Sequence, residues 1–74
     1  MGTNREYTVV LKDGSVHKFM ASSFEYQHGL RKGEADAYLF WAYDPDANMS
    51  MYKAVYQASD VKHIYESGVL VTLE

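Results

Sequence analysis

Two apolar runs, separated by a short polar segment, predict two short strands at the start of the chain. Residues 7–11 are mostly β-branched and aromatic, and residues 16–21 form a second run of similar character. Asp13 and Gly14 lie between the two runs, and glycine readily adopts the positive φ angle that a tight hairpin turn requires. The first 21 residues therefore predict an antiparallel β-hairpin.

Further short apolar runs predict additional strands, which bring the total to five to seven. These runs lie at residues 24–28, 38–43, 51–57, 62–66 and 69–73. Residues 58–62 fit a single helical turn, because Ser59 or Asp60 can accept a backbone hydrogen bond at its start. Glycines bracket a loop over residues 29–34, and a short helix over residues 34–38 is an alternative next to it.

Closely spaced short strands in a chain of 74 residues predict a mainly β fold. We expect either a small SH3-like barrel or a strongly bent antiparallel sheet, with one short helical turn. A single domain is expected over residues 1–74, with residues 1–5 and 73–74 disordered or left by cloning. No apolar run is long enough for a membrane span, and the N-terminus lacks the apolar segment of a signal peptide. We therefore expect a cytoplasmic protein with no membrane partner.

Composition narrows the classes of function further. The chain is 47% hydrophobic and 15% aromatic, which is typical of a folded domain rather than a disordered one. It has no cysteine, which excludes disulfides, thiolate metal sites and a thiol nucleophile. The net charge of −3 is unlike the clustered positive charge of nucleic-acid-binding domains, so we do not expect a nucleic-acid partner.

Two patterns resemble metal sites, but neither predicts one. Asp44, Asp46 and Asn48 match the opening of a calcium loop, yet Met49 and Val55 occupy the positions that need glycine and a bidentate glutamate. This segment is better explained as a hairpin turn. The three histidines have no short metal-ligand spacing and are expected to be packing residues; they are His17, His28 and His63. No cofactor or metal is expected.

Paired carboxylates are the remaining candidates for catalysis. Glu34 with Asp36, and Asp44 with Asp46, all lie in predicted loops where solvent keeps a carboxylate ionised. A general acid needs a pKa raised by an apolar pocket, and a small barrel fills its interior with its own side chains. We therefore expect a protein that is not an enzyme.

Residues in the predicted turns and core carry a resemblance to a family. They are Thr8-Val9-Val10-Leu11-Lys12-Asp13-Gly14, Phe19, Ala21, Leu39, Trp41, Ala58-Ser59-Asp60-Val61-Lys62 and Ile64. This pattern resembles a loose group of small β-proteins of uncharacterised function from bacteria and their phages. No activity is agreed for this group, so the resemblance implies no activity for this chain. The chain departs from it over residues 27–36, which makes this loop a candidate for individual function, with His28, Arg31, Lys32 and Glu34 as its polar residues.

The strand pattern also predicts an apolar outer face. Suppose that one face of each strand points into the core. The inward-facing residues are then Val9, Leu11, Phe19, Ala21, Leu39, Trp41, Ala54, Tyr56, Val61 and Ile64. The opposite faces then present Val10, Val16, Met20, Phe40, Met51 and Val55, which is more apolar than a solvated face needs. Either this face is an interface, with Val10, Met20, Phe40, Met51 and Val55 as candidates, or residues 23–34 or 69–73 fold back over it. A slip of one residue would exchange the two faces.

Three functions remain open from the sequence. The first is a non-catalytic protein-interaction module, binding another protein or a second copy of itself as a homodimer. The second is an accessory protein of a phage or mobile element that inhibits a host enzyme, since negative charge can imitate nucleic acid on a basic surface. The third is a single-strand nucleic-acid binder that uses its tyrosines as a stacking platform.

Overall fold

The computed structural model describes residues 4–29 and 33–72, and strands account for most of them. The described strands are β1 (Arg5–Leu11), β2 (Val16–Ala21), β3 (Ser23–Gln27), β4 (Ala37–Asp44), β5 (Met49–Gln57), β6 (Val61–Glu66) and β7 (Val69–Val71). A single 3₁₀ turn, Ala58–Asp60, lies between β5 and β6. The predictions of a mainly β chain and of one short helical turn are confirmed. The alternative of a short helix over residues 34–38 is wrong, because β4 already begins at Ala37.

The predicted hairpin at the start of the chain is confirmed. β1 and β2 pair in antiparallel fashion, with Val10 opposite Val16. Gly14 has a φ angle of 94° and its N–H donates to the carbonyl of Leu11 at 3.0 Å. The Asp13 carboxylate accepts from the Ser15 N–H at 2.8 Å, which is the local bond that favours aspartate in such turns.

The strands form two antiparallel sheets. The first has the strand order β2-β1-β6-β7 and the second has the order β3-β4-β5. Only Ser22 separates β2 from β3, so the chain passes from one sheet to the other at this residue. The Ser22 N–H and hydroxyl both donate to the Trp41 carbonyl, at 2.6 and 3.0 Å. No ladder joins the two sheets into a closed barrel within residues 4–29 and 33–72.

The core lies between the two sheets and is rich in aromatic rings. Its buried members are Tyr7, Val9, Ala21, Tyr38, Phe40, Val61 and Ile64. Phe40 lies at the centre, with its ring centroid 5.0 Å from that of Phe19 and 5.4 Å from that of Tyr7, both in edge-to-face geometry. Such contacts between aromatic rings add to the stabilisation that burial of their area provides.

The faces of β4 are reversed relative to the sequence prediction. Phe40 is fully buried in the core, so it is not a surface residue and its prediction as an interface candidate is wrong. Leu39 and Trp41, predicted to point inward, alternate with it and point away from the core. Six consecutive apolar residues contain no polar position that marks the outer side, so the pattern could not fix which face is buried.

The N-terminal residues Asn4 and Arg5, expected to be disordered or left by cloning, belong to the fold. The Asn4 side chain accepts from the Tyr43 N–H at 3.1 Å and donates to the Tyr43 carbonyl at 3.2 Å. Arg5 begins β1 and forms an ion pair with Glu66 on β6. Residues 1–3 and 73–74 lie outside the described residues. Among the residues that are described, no helix has the length and apolarity needed to span a bilayer.

Candidate binding surface

The surviving interface candidates from the sequence do not form one surface. Val10 and Met20 lie on the outer face of the first sheet, where Val10 is half-buried and Met20 is 50% exposed. Val55 lies on the outer face of the second sheet and is 58% exposed. Met51, 49% exposed, pairs with Ala42 near the β4–β5 turn and lies on the same side of the hairpin as the core.

The outer face of the second sheet carries a close pair of aromatic rings. The rings of Trp41 and Tyr52 lie on neighbouring strands with their centroids 4.1 Å apart. Tyr52 is 61% exposed. Leu39 and Val55 form the adjacent cross-strand pair on the same face. We call these four residues, Leu39, Trp41, Tyr52 and Val55, the aromatic face.

The side chains at this face are held in place before any partner binds. Glu25 on β3 accepts a hydrogen bond from the Trp41 indole N–H at 3.1 Å. Leu39 is only 6% exposed although it points away from the core, because it lies on the central strand between its cross-strand neighbours Glu25 and Val55. Contacts with β3 and β5 therefore hold Trp41 and Leu39 in place, while Tyr52 and Val55 stay mostly exposed.

The two segments that were expected to cover an apolar outer face do not do so in the described part of the chain. Residues 23–27 form β3, which extends the second sheet by pairing with β4. Residues 69–71 form β7, which extends the first sheet by pairing with β6. Each segment therefore widens its own sheet, and Tyr52 and Val55 keep most of their exposure.

In the candidate functional loop over residues 27–36, the described contacts of Asp36 reach back to Gly29 and Tyr26. One carboxylate oxygen accepts from the Gly29 N–H at 2.8 Å, and the other accepts from the Tyr26 hydroxyl. His28 is largely exposed, with Nδ1 3.7 Å from Asp36 Oδ2. Glu34 is also exposed. Arg31 and Lys32, the two cations predicted in this loop, lie outside the described residues.

These contacts set the protonation behaviour of the loop. The hydrogen bond from Tyr26, followed by that from Gly29, lowers the pKa of Asp36. The same bond to Asp36 raises the pKa of Tyr26 to about 12. Asp36 is therefore a fixed anion that holds the loop, whereas a general acid needs the opposite shift. Sequence reasoning missed this role, although an aspartate between a glycine-bracketed loop and a strand is a typical acceptor for backbone N–H groups.

The segment that resembles a calcium loop is the β4–β5 turn, as the sequence predicted. The Asp44 carboxylate accepts from the Asp46 N–H at 3.0 Å, and the Tyr43 hydroxyl donates to the Asn48 side chain at 2.6 Å. Asn48 has a φ angle of 51°, which asparagine tolerates well. Within the described ranges, no group of three or more potential metal ligands converges.

One of the three histidines links the two sheets. His17 Nδ1 lies within hydrogen-bond distance of the Tyr56 hydroxyl, at 3.1 Å, which joins β2 to β5.

Comparison of the chain with protein-family models, with curated proteins and with solved structures finds no match. The resemblance to small bacterial and phage β-proteins therefore stays a prediction.

Proposed function

We propose that this chain is a non-catalytic protein-interaction module that binds its partner through the aromatic face. The observation that carries the proposal is the close aromatic pair of Trp41 and Tyr52, whose rings are tilted by 31°, on an outer sheet face that no described segment covers. Tryptophan and tyrosine are the residue types most enriched among those that dominate binding energy at protein interfaces. The two rings lie beside the apolar side chains of Leu39 and Val55.

The pre-ordered geometry of the face supports a binding role. Association costs free energy when exposed side chains must be immobilised, at about 0.5–1.5 kcal/mol for each flexible side chain. The Trp41 ring is already held by Tyr52 on one side and by the Glu25 hydrogen bond at its edge. A partner that covers this face therefore loses less of its binding energy to ordering.

The outer face of the first sheet is a weaker candidate for the same role. Its exposed apolar side chains include Val16 and Met20. Thr8 and Lys18 form a cross-strand pair between them, and Glu6 lies directly opposite Met20. Both outer faces have adjacent apolar pairs, such as Val10 with Val16 on the first sheet. The aromatic face is the stronger candidate because its pairs include the Trp41 and Tyr52 rings.

A matched pair of variants tests the proposal by affinity capture from the cells that produce the protein. Tyr52→Asp places a charge in the aromatic face, and Val16→Asp places the same charge on the other sheet at a position of similar exposure, 61% against 55%. Proteins bound through the aromatic face should be recovered at least tenfold less with Tyr52→Asp, because truncating a dominant interface residue costs about 2 kcal/mol or more. They should be recovered at wild-type level with Val16→Asp. Equal recovery with both variants contradicts the proposal.

Salt dependence separates this function from inhibition of a host enzyme by charge mimicry. An apolar interface keeps its affinity when salt is raised, because screening acts only on charges. An acidic protein that imitates nucleic acid on a basic enzyme loses affinity steeply under the same change. Repeating the capture at low and high salt therefore distinguishes the two functions.

The pair of Trp41 and Tyr52 rings also makes single-strand nucleic-acid binding a second function to test. Exposed rings can stack on bases, but such sites combine the rings with cations that follow the phosphates. Here a carboxylate, Glu25, is bonded to the Trp41 ring edge, and the net charge of the chain is −3. Both features would repel the phosphates of a nucleic acid bound at the two rings. A labelled oligonucleotide at low salt tests this function, and we expect no binding.

The connectivity supports the finer description of the fold as a variant of the SH3-like type, which we also propose. The chain passes from the first sheet to the second at Ser22, and a 3₁₀ turn, Ala58–Asp60, precedes β6. Such an architecture carries many unrelated functions, so it adds nothing to the assignment of a partner.

A further inference from the structure

We propose that the free edge of β5 pairs with β5 of a second copy of this chain, which makes one continuous six-stranded sheet with two aromatic faces side by side. This inference rests on the proposed function, since it names a second copy as one partner that binds at the border of the aromatic face. Its structural basis is the direction of the β5 backbone groups.

Hydrogen bonds show which β5 residues point toward the free edge. The Ala58 N–H donates to the Asp36 carbonyl at 2.9 Å, a bond that flanks the Ala37–Gln57 pair. In an antiparallel ladder, a pair flanked in this way is not itself hydrogen-bonded, and the two kinds of pair alternate. The Leu39–Val55 pair, two residues along, is therefore also of this kind. The Val55 N–H and carbonyl consequently point away from β4.

The opposite side of β4 gives the same result independently. The Trp41 carbonyl accepts from the Ser22 N–H, and the Tyr43 N–H donates to Asn4, so these β4 residues direct their backbone groups toward the β3 side. Leu39 has the same parity as Trp41 and Tyr43, so its backbone groups also face β3. Val55 has no strand partner on its outer side within the residues that the structure describes.

Among the four edge strands that the structure describes, β5 is the longest, with nine residues, and it is the strand for which we propose self-pairing. An antiparallel pair of β2 strands centred on Lys18 would oppose two ammonium groups, and a pair of β3 strands centred on Glu25 would oppose two carboxylates. Like charges opposed across strands are destabilising, and natural edge strands use them to prevent such pairing. β7 has only three described residues, Val69–Val71.

Self-pairing of β5 about Val55 opposes no like charges. A two-fold axis at Val55 places Val55 beside its own copy and Lys53 opposite Gln57 of the second copy. An ammonium group and a neutral side-chain amide are compatible neighbours. Val55 is 58% exposed, so pairing would bury its side chain against that of the second copy, next to Leu39. Lys53, left unpaired at the β-bulge between Tyr52 and Ala54, ends the suitable segment on its N-terminal side.

Light scattering on a size-exclusion column, over a concentration series, measures the association. The wild-type mass should rise from that of one chain toward twice that value. Val55→Lys should stay at the mass of one chain, because it opposes two ammonium groups at the two-fold axis. Val16→Lys is the matched control, being 55% exposed on another edge strand, and should behave as wild type.

Amide hydrogen exchange on the wild-type protein identifies the edge directly and needs no variant. The N–H groups of Ala54 and Tyr56 are bonded to β4 in the single chain, whereas that of Val55 points outward. Exchange at Val55 should therefore slow as the concentration rises, with little change at Ala54 and Tyr56. A dimer without slower exchange at Val55, or a Val55→Lys dimer as stable as wild type, overturns the β5 contact.

A wild-type chain that keeps the mass of one copy at every concentration also overturns this inference. It leaves the proposed function standing, because capture of other proteins through Tyr52 does not depend on self-association. Conversely, a dimer with the expected exchange at Val55, together with capture that is insensitive to Tyr52→Asp, supports the β5 contact and contradicts the proposed function.

Discussion

Replacement of Phe40 by a smaller residue should show that the even-numbered positions of β4 form the core. Phe40 is fully buried, and its ring lies among four other aromatic rings, those of Tyr7, Phe19, Phe24 and Tyr56, at centroid distances of 5.4, 5.0, 5.4 and 5.9 Å. The surroundings of a truncated core side chain relax only partly, so part of the space of the lost ring stays empty. The substitution Phe40→Ala therefore creates a cavity.

The expected magnitude is large relative to the stability of the whole chain. Truncation of a buried phenylalanine to alanine costs about 3–5 kcal/mol. A chain of 74 residues has a free energy of unfolding of about 4–11 kcal/mol, at the usual value per residue. Phe40→Ala should therefore leave the protein marginally stable or unfolded. Phe40→Leu keeps more of the side-chain volume and should lower the free energy of unfolding by about 1–3 kcal/mol.

Urea unfolding followed by far-UV circular dichroism measures these losses. Val55→Ala is the control, because Val55 is 58% exposed on the neighbouring strand and should lose less than about 1 kcal/mol. A midpoint for Phe40→Leu no lower than that for Val55→Ala would refute the assignment of faces on β4.

The loop over residues 27–36 gives three further predictions. Gly29→Ala should lower the free energy of unfolding by about 1–3 kcal/mol, because the added Cβ would overlap the Glu34 carbonyl oxygen; unchanged stability in urea would contradict this contact. In alkali, the raised pKa of Tyr26 means that its hydrogen bond to Asp36 contributes fully below pH 10 and is lost as the pH rises through about 12. Ring-carbon NMR shifts can follow this tyrosine among the seven in the chain, and Asp36→Ala should return its pKa toward 10. In acid, the lowered pKa of Asp36 means that its contribution is present above its ordinary pKa of 3.8 and is lost as the pH falls below that value. Asp36→Ala should remove this part of the acid dependence, and an unaltered acid limb would count against the loop contacts.

The sequence predicted the strands well because local signals specify them. Asp13 and Gly14 mark the first hairpin through turn chemistry that acts within four residues. The turn after β4 is marked in the same way, by the Asp44 side chain that bonds to the Asp46 backbone. Such contacts lie between residues close in sequence, so a pattern along the chain contains them.

The faces of β4 could not be predicted for a physical reason. Residues 38–43 are all apolar, so alternation gives no direction. What decides the face is packing against the first sheet, where the Phe40 ring contacts Phe19 and Tyr7, and such contacts lie between residues far apart in sequence. The aromatic face was therefore missed, although both of its rings were visible in the sequence.

The role of Asp36 was missed because its partners are defined only once the loop closes. Its carboxylate binds Gly29 and Tyr26, seven and ten residues earlier in the chain. The bracketing glycines and the departure from the resembled family marked the loop as a candidate, but these signals could not distinguish a carboxylate pair of Asp36 with Glu34 from an anion that bonds to Gly29 and Tyr26.

Fluorescence quenching of Trp41 tests the central claim, that the aromatic face is the binding surface, most directly. The chain has a single tryptophan, which lies on this face, so its emission reports on one site. The measurement compares acrylamide quenching of the free protein with that of its complex with a captured partner whose tryptophans have been replaced by phenylalanine. The account predicts weaker quenching in the complex, because the partner covers the Trp41 ring. Equal quenching in the free protein and in the complex would place the binding surface elsewhere and contradict the account.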